Sequence, residues 1–397
     1  MRGKKVLLLL LSCVLFALIG CSQADVDNVD SNGKGTTVDE KDTIKIGGVY
    51  PLTGYLSWVG EYYEKGGKTQ IALINEAGGI NGHLLDLIIY DDQSSPEEGA
   101  RITRRLIERD GVIGITGTAS VPITGSVYSI AHEEGIPAIL QSGYTIDHEK
   151  EPFLFNTAYN TQFVVDRPFQ YFKKQGITDI GLVMPAGSLG EIGSKCARNA
   201  AEQFGLNIIG EETFEVDAPD ITTQLANIRG KNPQAIFAFA TGEPAAMVAR
   251  NMDQLGMNIP LLVSHGNANP GFLQLVSGLS LQILVPSGKI MIVEELPNDD
   301  PLKETLVAFN KKHIELFGEP ANYFSGNLAD GVALLAEGLR IAGEPNPGKI
   351  RDAIEGISGF KGICGIFNMS PSDHYGTSVN DIVILTIENN DWVLLNE

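Results

Sequence analysis

The sequence predicts an α/β protein with two doubly wound lobes, each built on a parallel sheet. Short apolar segments alternate with segments of helical spacing along most of the 397 residues, a pattern typical of parallel sheets covered by helices on both faces. The length suits two domains of ordinary size. The alternation starts again near residues 155–158, where we expect a second αβ set to begin.

The predicted elements of the first set follow one another in strand–helix order. The apolar spacing of Tyr63, Ile71 and Ile74 predicts the first helix, and the glycines within 78–82 end it. The predicted strands are 44–50, 84–90, 112–116 and 138–140, and the predicted helices are 60–77, 96–109 and 122–134.

The second set repeats this order before the pattern changes. Its predicted strands are 181–184, 235–240 and 261–264, and its helices are 191–204 and 244–255. After residue 285 the chain becomes rich in helices, and these are predicted at 301–317, 323–342 and 347–357. A last strand is predicted at 381–387. No period of 20–50 residues repeats, which argues against a solenoid.

The N-terminus has the pattern of a secretion signal. Arg2, Lys4 and Lys5 precede an apolar run at 6–19, which at about fourteen residues is too short for a comfortable membrane span. The run ends in the letters LIGC, which resemble the bacterial lipobox, where a small residue precedes a lipidated cysteine. A buried apolar helix is the alternative, but it does not account for the basic start or for the Gly-Cys end. We therefore expect lipidation at Cys21.

The segment after this cysteine is expected to be a tether. We predict a signal peptide over 1–20 and a lipidated flexible tether over 21–42. The tether is rich in Asp, Asn, Gly, Ser and Thr, and such a composition buries too little apolar surface to fold. We therefore predict that the protein is a membrane-anchored lipoprotein and that it lies outside the cytoplasm.

The charge balance excludes some partners. Lys and Arg total 29 against 49 Asp and Glu, for a formal net charge of −20, and phosphate backbones require clustered basic residues instead. We expect no nucleic-acid partner. Only the N-terminal run is apolar enough to meet a membrane, which excludes a polytopic membrane protein.

Reactive motifs are sparse. The sequence contains no CxxC, HExxH, GxSxG or Walker motif, so we expect neither an enzyme nor a bound metal or cofactor. Asp91 and Asp92 follow a strand and are interpreted as a turn, not as metal ligands. Cys196 and Cys364 lie far apart along the chain, and we expect two separate free thiols.

Ligands of such folds bind where strands end. At the carboxyl ends of parallel strands, helix N-termini present amides without partners, which suit a carboxylate. The segments in question are rich in Gly and hydroxyl groups, and they are 51–60, 117–122, 141–145, 185–190, 241–243 and 264–267.

Three segments carry a resemblance to a known family. They read IKIGGVYPLTG, INEAGGINGHLLDLIIYDDQSSPEEG and GIPAILQSG, and they resemble the branched-chain amino-acid binding proteins of ABC transporters, in the type I periplasmic-binding-protein superfamily. The resemblance runs from about Lys45 to the C-terminus. It implies two lobes joined by a hinge of three strands that close on a ligand, delivery to a membrane permease, and no chemistry on the ligand.

The resemblance also implies binding residues in the first lobe. The loop after the third strand gives a serine to the ligand carboxylate, which corresponds to Ser120 here, or to Val121 by a strict count. An aromatic residue of the first loop packs near the ligand side chain, and Tyr55 and Trp58 are candidates. The loop after the fourth strand donates backbone and hydroxyl groups, and its residues are Ser142, Gly143, Tyr144 and Thr145.

The second lobe departs from the family pattern. The family commonly has Tyr-Gly where this chain has Leu189 and Gly190. It places an acid for the amino-acid ammonium near the position of His265. Glu243, which follows Gly242 in a neighbouring loop, is a candidate replacement. The expected ligand is therefore either an amino acid or an aromatic or aliphatic acid.

Structural roles are the alternative for several of these residues. Ser120 and Ser142 also suit helix capping, Tyr55 and Trp58 suit packing at the lobe edge, and Glu243 suits a helix start.

We predict a monomeric solute-binding protein that serves an ABC importer. A sensor subunit for a signalling partner and an envelope enzyme are the alternatives. The predicted lobes are 43–160 plus 294–365 and 161–293 plus 366–397.

Overall fold

A computed structural model describes residues 43–395, and two sheets organise this part of the chain. The first sheet has five strands in the order β2-β1-β3-β4-β5, and every pairing in it is parallel. Its strands are β1 (Thr43–Tyr50), β2 (Leu84–Asp91), β3 (Ile115–Gly117), β4 (Ala138–Leu140) and β5 (Leu154–Asn156). The predicted signal peptide, the lipidation at Cys21 and the tether lie outside the described residues.

The second sheet has seven strands in the order β14-β13-β10-β9-β8-β6-β7. Five of them form a parallel core, whereas β13 pairs antiparallel with both β10 and β14. The strands are β6 (Asp179–Pro185), β7 (Asn207–Phe214), β8 (Ala235–Ala238), β9 (Leu261–Val263), β10 (Ile283–Gly288), β13 (Ile382–Glu388) and β14 (Asp391–Leu394). A separate antiparallel pair is formed by β11 (Phe360–Lys361) and β12 (Ile366–Phe367).

Helices connect these strands. They are α1 (Ser57–Glu76), α2 (Pro96–Arg105), α3 (Val121–Glu133), α4 (Thr161–Lys174), α5 (Ser188–Phe204), α6 (Thr222–Arg229), α7 (Glu243–Gln254), α8 (Pro270–Leu275), α9 (Lys303–Phe317), α10 (Tyr323–Ala342) and α11 (Pro347–Glu355). A π-helical turn over Leu106–Asp110 continues α2, and 3₁₀ turns lie at His265–Asn267, Lys289–Ile292 and Val379–Asp381. No helix of residues 43–395 is long and apolar enough to cross a bilayer.

The long helix α10 shows how the sequence sets local structure. Asn322 caps its N-terminus by accepting from the backbone N–H of Ser325, and the Ser325 hydroxyl accepts from the backbone N–H of Asn322, which forms a capping box. Most of the helix is buried. It packs closely on α1, because a Cβ at Gly66 would lie 2.1 Å from the carbonyl oxygen of Ser325. A glycine is required at that contact.

The chain passes between the two sheets three times. It leaves the first sheet after β5, returns after β10 to form α9 and α10, and crosses again between β12 and β13. The third crossing touches the first sheet, since the backbone N–H of Asn156 donates to the carbonyl of His374 at 3.0 Å. These crossings are at 157–160, 289–302 and 368–381. The exact lobe boundaries stay a prediction.

The α/β class with two parallel-sheet lobes is confirmed, although α4, α6, α8, β7 and β10 were not among the predicted elements. Strand β7 was not predicted, because its polar letters GEET lie at a half-exposed sheet edge and hide the apolar pattern. The strand predicted at 381–387 corresponds to β13, which forms an antiparallel hairpin with β14. Its two-residue turn has φ of 52° at Asn389 and 61° at Asn390, as the tight hairpin turn requires.

Candidate functional site

The loop after β3 ends at an exposed helix N-terminus. Ser120 precedes α3 in an extended conformation (φ −138°), and its side chain makes no capping hydrogen bond. Its hydroxyl oxygen is buried and has no partner. No acidic residue lies in the first turn of α3, so the partial positive charge of that turn is not neutralised from within the helix.

A chain of hydroxyl groups joins this helix to the loop after β4. The Thr124 hydroxyl on α3 lies 2.7 Å from that of Thr118 and 2.7 Å from that of Ser142. The backbone N–H of Tyr144 donates to the Ser142 hydroxyl at 3.3 Å. We call Ser120, Ser142 and the first turn of α3 the anion corner, because its hydroxyl and amide groups are the donors that a carboxylate accepts from.

Gln141 holds the anion corner in place. Its side chain accepts from the backbone N–H of Gly117 at 2.9 Å and donates to the Thr157 hydroxyl at 2.9 Å. The backbone carbonyl of Gln141 accepts from the Tyr63 hydroxyl at 2.8 Å. One buried amide therefore connects the loops after β3 and β4 to the first crossing. Such a fully bonded buried network fixes loop geometry.

Gly117 brings β3 close to β1. Its φ is 118°, and a Cβ there would lie 2.2 Å from the carbonyl oxygen of Val49. Only glycine adopts this conformation with so little space. The position of the loop that carries Ser120 thus depends on Gly117 having no side chain.

An aromatic row crosses from the first lobe to the second. Trp58 on α1 meets Phe324 edge-on at 5.2 Å between centroids, and Phe324 meets Tyr323 at 5.3 Å. Tyr323 then meets His265 at 5.5 Å, and His265 lies 6.4 Å from Phe239. These five residues form what we call the aromatic row. Trp58 is the exposed end of the row, whereas Tyr323 and Phe239 are buried.

The polar groups of the second lobe largely satisfy each other. Asn267 accepts from the backbone N–H of Gly242 at 2.8 Å and donates to the carbonyl of Ala240 at 2.8 Å. The Ser264 hydroxyl donates to the same carbonyl at 2.8 Å. His265 differs, because its Nδ1 is buried without a partner. Burial lowers the pKa of His265 to about 4, so the ring is neutral at pH 7.

A cavity of about 560 Å³ lies between the two lobes. One wall is the loop 142–146 of the first lobe, and the opposite wall includes Ile192, Lys195 and Asn199 of α5. Tyr159 of the first crossing also lines it and stacks on Tyr323 at 5.1 Å. Ser142 is the member of the anion corner that lines the cavity, and Tyr159 links the cavity to the aromatic row through Tyr323. The volume suits a small molecule.

The predicted first-lobe residues fall into two groups. Ser142, Gly143, Tyr144 and Thr145 line the cavity together. Trp58, 41% exposed, belongs to the aromatic row, whereas Tyr55 is 70% exposed near the start of α1 and Val121 is 44% exposed at the start of α3. The Tyr144 hydroxyl donates to Glu151 of its own lobe at 2.6 Å.

The predicted second-lobe residues are more dispersed. His265 lies in the aromatic row. Leu189 is exposed on the first turn of α5. Gly242 precedes α7, and Glu243 forms an exposed ion pair with Arg250 of the same helix. The ligand contacts of all these residues stay predictions.

Sequence reasoning missed Tyr159, Phe239, Tyr323 and Phe324. Tyr159 lies at the first crossing, and Phe239 follows β8. The adjacent pair at the start of α10 was the available signal, since two large aromatics at a helix start are candidates for a cleft.

The two cysteines behave as predicted. Cys196 and Cys364 are both buried and unpaired, which confirms two separate thiols. Burial raises the pKa of each thiol, which makes both unreactive. Within residues 43–395 no three His, Cys, Asp or Glu side chains gather as metal ligands do.

The fold and the cavity between its lobes define a class of protein that holds a small solute between two α/β lobes. A family model described as periplasmic binding protein matches residues 43–391. The chain belongs to the periplasmic binding protein family, and the resemblance in the sequence is confirmed. The family consists of solute-binding proteins that act outside the cytoplasm and are not enzymes.

Two curated relatives show the range of similarity. The leucine-, isoleucine-, valine-, threonine- and alanine-binding protein of Pseudomonas aeruginosa is 23% identical over 325 residues, which cover 79% of this chain and 82% of that protein. The Leu/Ile/Val-binding protein homolog 1 of Brucella suis is 25% identical over 332 residues, which cover 81% and 85%.

Solved structures share the fold. An extracellular ligand-binding receptor from Rhodopseudomonas palustris superposes with a TM-score of 0.76 at 22% identity, over 89% of this chain and 99% of that one. The branched-chain amino acid transporter substrate binding protein LivJ from Streptococcus pneumoniae, in complex with isoleucine, gives 0.73 at 22% identity, over 89% and 100%.

Proposed function

We propose that this chain is a lipid-anchored receptor that captures a small carboxylate-bearing solute and delivers it to an ABC importer. The solute binds between two lobes, which are 43–160 plus 294–365 and 161–293 plus 366–397, and the lobes close on it. The protein acts as a monomer. The two curated relatives are named for binding leucine, isoleucine and valine, one of them also for threonine and alanine. The Streptococcus pneumoniae structure is named as the substrate binding protein of a branched-chain amino acid transporter. Their names support the transport role and a carboxylate in the ligand.

The unpartnered Ser120 hydroxyl carries the proposal. It is a buried polar atom at the N-terminus of α3, and the Ser142 hydroxyl is held near the same turn through Thr124. A buried polar group without a partner costs about 1–3 kcal/mol, and most such groups in proteins are hydrogen-bonded. A ligand carboxylate would accept from this hydroxyl and from the free amides beside it.

A thermal-shift panel tests the carboxylate requirement. Leucine, phenylalanine, their 2-oxo counterparts and benzoate are compared with leucinamide, which has the same skeleton as leucine without the carboxylate. A ligand that binds only the folded protein raises the melting temperature. We expect at least one carboxylate to raise it and leucinamide to leave it unchanged. If no carboxylate shifts the transition, the receptor proposal is wrong.

The lipid anchor is tested by a matched pair of cysteine variants. Cys21→Ala removes the predicted lipidation position, and Cys13→Ala changes a cysteine within the predicted signal peptide. We expect Cys21→Ala to move the protein from the membrane fraction to the soluble fraction, whereas Cys13→Ala stays with the membrane. Membrane retention of Cys21→Ala contradicts the anchor.

A further inference from the structure

Glu151 and Asp147, the acidic residues that follow the loop after β4, are already engaged. Glu151 accepts from the Tyr144 hydroxyl at 2.6 Å and from the backbone N–H of Asp147 at 2.8 Å. Asp147 pairs with Lys150 at 2.6 Å. Both carboxylates therefore serve the first lobe's own fold. A ligand ammonium could pair with either carboxylate only by breaking these hydrogen bonds and this ion pair.

The acidic residues of the facing walls are engaged as well. Glu243 pairs with Arg250 on the exposed side of α7. Asp373 lines the cavity, but its Oδ1 accepts from the backbone N–H of Tyr375 at 2.9 Å and of Gly376 at 3.1 Å. Lys195 lines the same cavity from α5. A positive ligand group there would meet a positive side chain, which opposes its binding.

In the loops after β8 and β9, His265 keeps a buried polar atom without a partner. Its Nδ1 has no hydrogen-bond partner, and its ring sits between Tyr323 and Phe239. A carboxylate within about 4–6 Å would raise the pKa of a histidine, whereas burial is the cause that lowers the pKa of His265 to about 4. A neutral imidazole hydrogen-bonds to a carbonyl or a hydroxyl, but it does not balance the charge of a desolvated ammonium.

We infer that the solute of this cleft is a carboxylate without an ammonium group, a 2-oxo acid or aromatic acid with an apolar body. Its carboxylate binds at the anion corner, its body lies on the aromatic row, and its second polar group meets His265. This inference rests on the proposed function, and it narrows the ligand class of the same site.

Calorimetry on the full chain tests the inference with two matched pairs of ligands. The pairs are 4-methyl-2-oxopentanoate with leucine and phenylpyruvate with phenylalanine, and each differs only in an oxo group against an amino group. We expect the better 2-oxo acid to bind at least tenfold more tightly than its amino acid. Equal or tighter binding of the amino acids overturns the inference but keeps the carboxylate receptor. Binding by none of the four, nor by benzoate, overturns both.

A charge introduced at His265 tests the placement of the second polar group. In His265→Asp, a carboxylate replaces the neutral ring, and we expect the affinity ratio of leucine to 4-methyl-2-oxopentanoate to rise at least tenfold in favour of leucine. His265→Asn is the matched control, because it has a similar size and no charge, and it should leave the ratio within threefold of the wild type. An unchanged ratio in His265→Asp contradicts the assignment.

Discussion

In the first lobe, the loop after β3 leaves the Ser120 hydroxyl without a partner, whereas in the second lobe the loops after β8 and β9 bond to each other through Asn267 and Ser264. We call the loops after β3 and β4 the first wall, and this wall holds a buried hydroxyl donor without a partner. We call the loops after β8 and β9 the second wall, and this wall offers a neutral histidine among aromatic rings. Under the proposed function, this difference predicts that the first lobe recognises the ligand charge and that the second lobe selects the rest of the ligand.

The rigid part of the first wall depends most on Gly117. We expect Gly117→Ala to lower the free energy of unfolding by about 3 kcal/mol, since the new Cβ would lie 2.2 Å from the Val49 carbonyl oxygen at a φ of 118°. Gly143→Ala in the neighbouring loop is the control. No atom lies within 4 Å of its new Cβ, so the change should stay within about 0.5 kcal/mol. Urea unfolding of both variants measures the difference, and equal losses would contradict it.

The donors of the first wall should then control affinity. Ser120→Ala and Ser142→Ala each remove a hydroxyl from the anion corner, and a hydrogen bond to a charged group contributes about 1.5–3 kcal/mol. We expect each to raise the dissociation constant of the best carboxylate by at least about tenfold, measured by calorimetry.

Ser126→Ala is the matched control, because its hydroxyl donates to the Pro122 carbonyl on the exposed side of α3. If Ser126→Ala weakens binding as much as the other two, the anion corner is not the carboxylate site.

The sequence predicts the first wall better than the second for a physical reason. Ser120 and Ser142 each follow a short apolar strand, so the pattern alone places them at the same edge of a parallel sheet. The aromatic row joins Trp58, Tyr323 and His265, which are far apart in the chain. Their meeting depends on how the crossings pack, and local periodicity carries no information about that. The network around Gln141 was missed for the same reason.

The free energy of unfolding should depend on pH through His265 of the second wall. Burial lowers the pKa of His265 from 6.5 to about 4, so the unfolded chain binds a proton near pH 6.5 that the folded protein binds only near pH 4. Stability from this group is therefore present above pH 6.5 and is lost as the pH falls toward 4. We expect a loss of about 1 kcal/mol between pH 7.5 and 5.5 from this residue.

The variant His265→Asn isolates that contribution from His313 and His374, whose pKa values burial also lowers. Urea unfolding at both pH values should show a smaller acid loss in His265→Asn than in the wild type. His132→Asn changes an exposed histidine on α3 and should leave the loss unchanged. If His265→Asn lost as much unfolding free energy between pH 7.5 and 5.5 as the wild type does, the burial of this ring would be contradicted.

The smallest expected effect concerns the tryptophan in the aromatic row. Trp58 is partly exposed and contacts Phe324 edge-on at 5.2 Å, whereas Trp392 is 7% exposed on β14. A ligand on the aromatic row changes the solvent contact of Trp58, so titration with the best carboxylate should change the tryptophan fluorescence. We expect Trp58→Phe to lose most of that change with less than a threefold rise in the dissociation constant, because phenylalanine keeps an aromatic face, and Trp392→Phe to retain it. A full signal in Trp58→Phe would remove Trp58 from the site, and the aromatic part of the ligand surface would then begin at Phe324.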